Sequence, residues 1–135
     1  MTGILADINV QGHLEVLLQV WQSEEWRDVW QGLVLSVHTF ENLGLSREAP
    51  DTLVWRACQD AGIVLLTANR NDEGPDSLEA TIREHNTEQS LPVFTLADPR
   101  RVQLDAAYAA RVAIKLLQYF LEIDTVRGTG RLCVP

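Results

Sequence analysis

Three acids in this chain stand where apolar runs give way to polar segments or helices. Asp7 closes the run Ile4-Leu5-Ala6. Asp51 follows Ala49-Pro50 and opens a helical pattern. Asp72 closes the cluster Asn69-Arg70-Asn71-Asp72, which follows the strand-like run Ile63-Val64-Leu65-Leu66-Thr67. An early strand ending in an acid puts a carboxylate at the carboxyl edge of a sheet. In open α/β folds, ligands bind at that edge. Three acids at element boundaries therefore suggest a shared cation site.

Each acid also has an ordinary structural use. Asp7 suits a helix N-cap or a turn. Asp51 is placed to favour a helix dipole. Asn and Asp stabilise polar turns, which would account for residues 69–72. Asp76 reads as a helix cap, and Asp98 before Pro99 as a turn residue. His13, His38 and His85 show no ligand spacing.

The elements that must position these groups alternate between strand and helix. Residues 3–8 read as the first strand. Leu14, Leu17, Leu18 and Trp21 then recur at helical spacing over 13–22. Ser23 is a candidate cap for a short helix over 24–31, which Gly32 ends. A β-rich run follows at 33–37. The next helix spans 51–61, with Val54, Ala57, Cys58 and Ala61 as its buried stripe and Gly62 as its C′ residue. The continuous apolar run 63–67 signals a strand covered on both faces. A helix over 77–86, a strand at 92–96, a long helix over 102–122 and an edge strand at 132–134 complete the pattern. This order predicts one α/β domain over residues 1–135, a three-layer α/β/α arrangement with a mainly parallel sheet.

Composition narrows the function classes. An apolar fraction of 46% over 135 residues fits a globular fold. No apolar run approaches the ~18 residues of a membrane span. A basic leader is absent and Asp7 interrupts the early apolar stretch, so a secretory signal is not expected. The two cysteines, Cys58 and Cys133, show no metal spacing and fit a reduced, cytoplasmic chain. A net charge of −8 argues against broad attraction to nucleic acid or anionic membrane. Arg100-Arg101 and Lys115 are the hints of a local basic patch. Trp26 and Trp30 share a face of the 24–31 helix. Tryptophans at this spacing ordinarily belong to the core; beside that reading the pair predicts a homodimer contact there, with a base-stacking platform as a further use.

The chain resembles PIN-like domains, the fold shared by VapC-type toxin ribonucleases and bacterial relatives. Leu5-Ala6-Asp7-Ile8-Asn9, Ala49-Pro50-Asp51 and the segment Val64-Leu65-Leu66-Thr67-Ala68-Asn69-Arg70-Asn71-Asp72 carry the resemblance. It implies a Mg²⁺- or Mn²⁺-dependent ribonuclease. Asp7 would be a direct ligand, and Asp51 a direct or water-mediated one. Asp72, with Asn69 or Asn71, would close the site. All three acids would be catalytic through the cation, which activates water and stabilises charge on a phosphodiester.

Asn69 and Asn71 stand where the family pattern puts acids. That departure supports a second expectation, a PIN-like module with weakened or lost catalysis that binds a protein or nucleic acid partner. The first expectation brings RNA as substrate and an antitoxin as partner. A receiver domain is the rival α/β fold with acids around Mg²⁺. Its phosphoacceptor Asp belongs at a central strand end, where this chain has Thr67-Ala68-Asn69.

Overall fold

The computed structural model describes residues 3–69, 74 and 77–135. Five strands form one sheet: β1 (Gly3–Ala6), β2 (Ser36–His38), β3 (Ile63–Thr67), β4 (Val93–Leu96) and β5 (Arg131–Val134). Every pairing is parallel, and the order across the sheet is β2-β1-β3-β4-β5. From β1 the chain passes to β2 on one side and then returns to β3 on the other. The order reverses between β1 and β3, so the topological switch point of this doubly wound sheet lies outside their carboxyl ends.

Six helices cover both faces: α1 (Gln11–Trp21), α2 (Arg27–Leu33), α3 (Asp51–Ala61), α4 (Leu78–His85), α5 (Pro99–Leu104) and α6 (Ala106–Leu121). Alternate side chains along the strands separate two cores. Ile4, Ala6, Val64, Leu66, Phe94 and Leu96 face α1 and α6. Leu5, Ile63, Leu65 and Val93 face α3 and α4. All five residues of β3 are buried, as a strand covered on both sides requires. The architecture is therefore the expected three-layer α/β/α arrangement. Among the described residues, no helix is long and apolar enough to cross a membrane.

The approach of β1 to its neighbours requires a glycine. A Cβ on Gly3 would stand 2.7 Å from Ile63 Cγ2 and 2.8 Å from the Ser36 carbonyl oxygen. At the end of α3, Gly62 adopts φ +70°, the left-handed C-cap conformation that glycine tolerates at little cost.

Several elements differ from the sequence expectation. Leu33 ends α2, so the β-rich run 33–37 contributes only its last part to β2. The first strand stops at Ala6, and Ile8 is already in a 3-10 turn. The 102–122 segment is two helices. Asp105 is extended between them and accepts the Tyr108 N–H at 3.1 Å, which caps α6. Asp98 likewise accepts the Arg101 N–H at 3.1 Å and caps α5, with Pro99 in its first turn. It is a helix cap, not a simple turn residue. The short tryptophan helix runs Arg27–Leu33 with Trp26 at its N-cap, because the Ser23 hydroxyl donates backwards to the Val20 carbonyl at 2.6 Å. Gly32 lies inside that helix, and Val34 ends it in a left-handed conformation. In α3, Trp55 is buried where Ala61 was expected, since Ala61 sits exposed at the helix end.

Trp26 and Trp30 turn towards their own chain. Both pack, partly buried, on the α1/α6 core. Trp30 stacks on Trp21 with ring centroids 5.0 Å apart and planes 12° from parallel. Trp21 is fully buried and donates its indole N–H to the Ala113 carbonyl at 2.8 Å, tying α1 to α6.

Candidate functional site at the sheet switch point

Asp7 is delivered by the last step of the β1–β3 ladder. Its N–H donates to the Leu66 carbonyl at 2.8 Å, after which the chain leaves the sheet into a 3-10 turn, Ile8–Val10. One carboxylate oxygen, Oδ1, accepts the Ile8 N–H at 2.9 Å and caps that turn. The other, Oδ2, accepts the hydroxyl of Thr67 at 3.0 Å. Thr67 is fully buried at the end of β3, and its Oγ1 also accepts the Asn69 N–H at 2.9 Å. A strand-end threonine thus fixes both the acid across the switch point and the start of its own loop.

Asn69 reaches the third element. Its side-chain amide donates to Asp51 Oδ2 at 3.0 Å. The same oxygen accepts the Leu78 N–H, the first residue of α4, at 3.1 Å. Asp51 therefore sits in the first turn of α3 while also serving the N-terminus of α4. Both termini favour a negative group.

The electrostatics pull in two directions. Burial, above all, holds the Asp51 carboxyl above the usual value of 3.8, and the charge of Asp7 adds to the rise. The Asn69 and Leu78 hydrogen bonds and the Arg131 guanidinium oppose it. Asp7 and Asp51 are thus close enough to repel. Burial and, to a lesser degree, the Asp7 charge also push the Cys58 thiol up to about 12.

Sequence reasoning missed Arg131. It opens β5, at the edge of the sheet, yet its side chain runs across to the site. Nη1 donates to the Asn69 carbonyl at 2.8 Å and to Thr95 Oγ1 at 2.6 Å. Nε donates to Glu79 Oε2 at 2.9 Å. Thr95 is the register partner of Thr67, so the two threonines hold paired positions on neighbouring strands. An arginine opening a short apolar run gave no signal beyond its charge. The connection depends on strand order.

Asp7, Asp51 and Asn69 therefore come together at one edge. Asn71 and Asp72 lie outside the described residues, as do Arg70 and Asp76. Among the described residues, no group of three or more His, Cys, Asp or Glu could hold a metal ion. Two carboxylates and one amide oxygen nevertheless fit Mg²⁺ or Mn²⁺ chemistry. Mg²⁺ takes few protein ligands, commonly one or two carboxylates, and keeps several waters. An open cleft of about 250 Å³ is lined in part by Ile8, the residue that follows Asp7 in the chain, and by Gln11, Thr39 and Phe40. Compared with known proteins, the chain matches no family model, no curated protein and no solved structure.

Proposed function

We propose that this chain is a PIN-like, divalent-cation-dependent ribonuclease whose site is the switch point between β1 and β3. The observation that carries the reading is the juxtaposition of Asp7 and Asp51 from separate elements, joined through Thr67 and Asn69. Carboxylates of like charge at a ligand-binding edge are costly unless something positive is bound there. Asp7 and Asp51 would hold Mg²⁺ or Mn²⁺, with the Asn69 amide oxygen turned inward, and Asn71 and Asp72 would complete the shell. The bound cation would supply a more acidic water and charge stabilisation at a phosphodiester.

The chain's own residues perform the positioning. Thr67 fixes the Asp7 rotamer through its hydroxyl. Arg131 holds the Asn69 carbonyl, just past the end of β3. The Leu78 N–H keeps one Asp51 oxygen satisfied as its carboxylate orients. In the cell the finer reading is a cytoplasmic enzyme, a toxin restrained by an antitoxin. A homodimer through the tryptophan helix belongs to the same reading, limited by the packing of Trp30 on Trp21.

One observation favours a second reading. The Asn69 amide neutralises part of the site without any cation, by donating to Asp51. A module of weakened or lost catalysis that binds a protein or nucleic acid would keep this arrangement. Incubation of labelled single-stranded RNA with Mn²⁺ or with a chelator separates the two. The ribonuclease reading expects Mn²⁺-dependent cleavage that Asp7→Asn abolishes. Intact RNA at high enzyme concentration would leave the binding module.

A further inference from the structure

Residues 99–118 carry four cations, Arg100, Arg101, Arg111 and Lys115, against a single acid, Asp105, in a chain of net charge −8. They lie on α5 and α6. Because β4 and β5 are parallel, the chain leaves β4 at the carboxyl edge and α6 runs back towards the opposite edge. The cations therefore start at the edge that holds Asp7 and Asn69. All four are exposed.

Three of them are also seated on aromatic rings. The Arg101 guanidinium lies 4.4 Å from the centre of the Tyr108 ring, and that of Arg111 lies 5.7 Å from the same centre. Lys115 Nζ lies 5.0 Å from the Tyr119 ring centre. Positions 108, 111, 115 and 119 follow one face of α6, so two rings flank two cations along it. The rings are themselves held in place. Tyr108 is buried, and Tyr119 stacks on Phe94 with centroids 5.4 Å apart. Cations seated on fixed rings lose less freedom when they engage an anion.

Among the described residues, Arg101 alone of the four has an acidic partner, Asp105 at 3.3 Å, in an exposed pair. Such pairs are weak and are readily exchanged for another anion.

We propose that this stripe binds the phosphate backbone of single-stranded RNA and leads it to the switch point. The inference rests on the ribonuclease reading for the identity of the polyanion. Arg111 and Lys115 are one helical turn apart, roughly 6 Å along the axis, a step suited to successive phosphates of an extended strand. The net charge does not oppose this locally. At physiological salt the screening length is about 8 Å, so a phosphate on Arg111 feels the stripe more than acids elsewhere on the surface.

The test is fluorescence anisotropy of a labelled oligouridylate in EDTA across a salt series. Wild type should bind, with affinity falling as salt rises. Arg100→Gln/Arg111→Gln/Lys115→Gln should lose at least tenfold. It should also lower the log–log salt slope by about 2, as expected for three phosphate contacts on a single strand. Arg56→Gln, which removes an exposed cation from α3 on the other face of the sheet, should bind RNA like wild type. Absence of wild-type binding, or an unchanged slope in the triple variant, would overturn the proposal. Polyglutamate competing as well as unlabelled RNA would also overturn it, by assigning the stripe to an acidic protein. RNA binding that persists when Mn²⁺ binding fails would sink the cation site and leave this surface standing.

Discussion

Asn69 donates its side-chain amide to the carboxylate of Asp51, 18 residues earlier in the chain, at 3.0 Å. A neutral donor thus occupies a place beside Asp51 where an additional carboxylate would repel it. That one Asp51 oxygen is satisfied as it stands. Any cation must compete with an internal hydrogen bond that already offsets part of its charge.

Asn69→Asp should therefore act in opposite directions with and without metal. The new carboxylate would face Asp51 and Asp7, so the metal-free protein should melt at a lower temperature than wild type. Added Mn²⁺ should raise its melting temperature more than that of wild type, since a ligand at concentration c stabilises the fold by RT ln(1 + c/Kd) and the added carboxylate should lower Kd. Thermal unfolding with and without Mn²⁺ reads both arms. A variant that melts like wild type in both conditions would place residue 69 outside the site.

The acid limb of stability should carry the signature of Asp51. Its folded pKa lies above 3.8, so the native state holds this proton more tightly than the unfolded chain does. The resulting stabilisation is fully present below the unfolded value and is lost as pH rises through the folded one. Asp7→Asn removes a repelling charge and should lower the Asp51 pKa. Carbon-detected carboxyl titration by NMR would show this, and an unchanged Asp51 midpoint would mean the two acids are not coupled.

Arg131 links the edge strand to the site. Its replacement by Met strips partners from Glu79, Thr95 and the Asn69 carbonyl. The expected loss is about 2 kcal/mol, typical of hydrogen bonds to a charged group. Arg131→Met/Glu79→Gln should recover part of it, because no half-buried carboxylate is then left alone. Urea unfolding of the single and double variants checks the order. The double variant falling well below the single would contradict it.

Gly3 tests the sheet that carries Asp7. An alanine there would meet both Ile63 and the β2 backbone. Overpacking of this kind costs about 1–3 kcal/mol. A Gly3→Ala variant as stable as wild type would show that β1 can shift, and with it Asp7.

Much of this fold was legible because its signals are local. The boundaries of α3 followed from Pro50-Asp51 at one end and Gly62 at the other. The covered strand β3 followed from five successive apolar or β-branched residues. Asp7, Asp51 and Asn69 could be assigned to one edge because parallel strands share a direction. The break at Asp105 was hidden by the apolar residues on both sides of it, although Asp before Ala-Ala-Tyr is a cap pattern. Arg131 was hidden for a different reason. It meets Asn69 and Thr95 only after β5 pairs beside β4, and no spacing along the chain encodes that neighbour. Trp26 and Trp30 pack as core rings of their spacing do, but the stacking of Trp30 on Trp21 was hidden because Trp21 is on another helix.

The central claim is a cation site built on Asp7 and Asp51, and calorimetric titration with Mn²⁺ tests it most directly. Wild type should show weak, saturable binding of one ion per chain. Asp7→Asn should abolish it while leaving the fold intact by circular dichroism. Wild type that takes up no Mn²⁺, or an Asp7→Asn protein that binds it as wild type does, would contradict the assignment of this sheet edge as a metal centre.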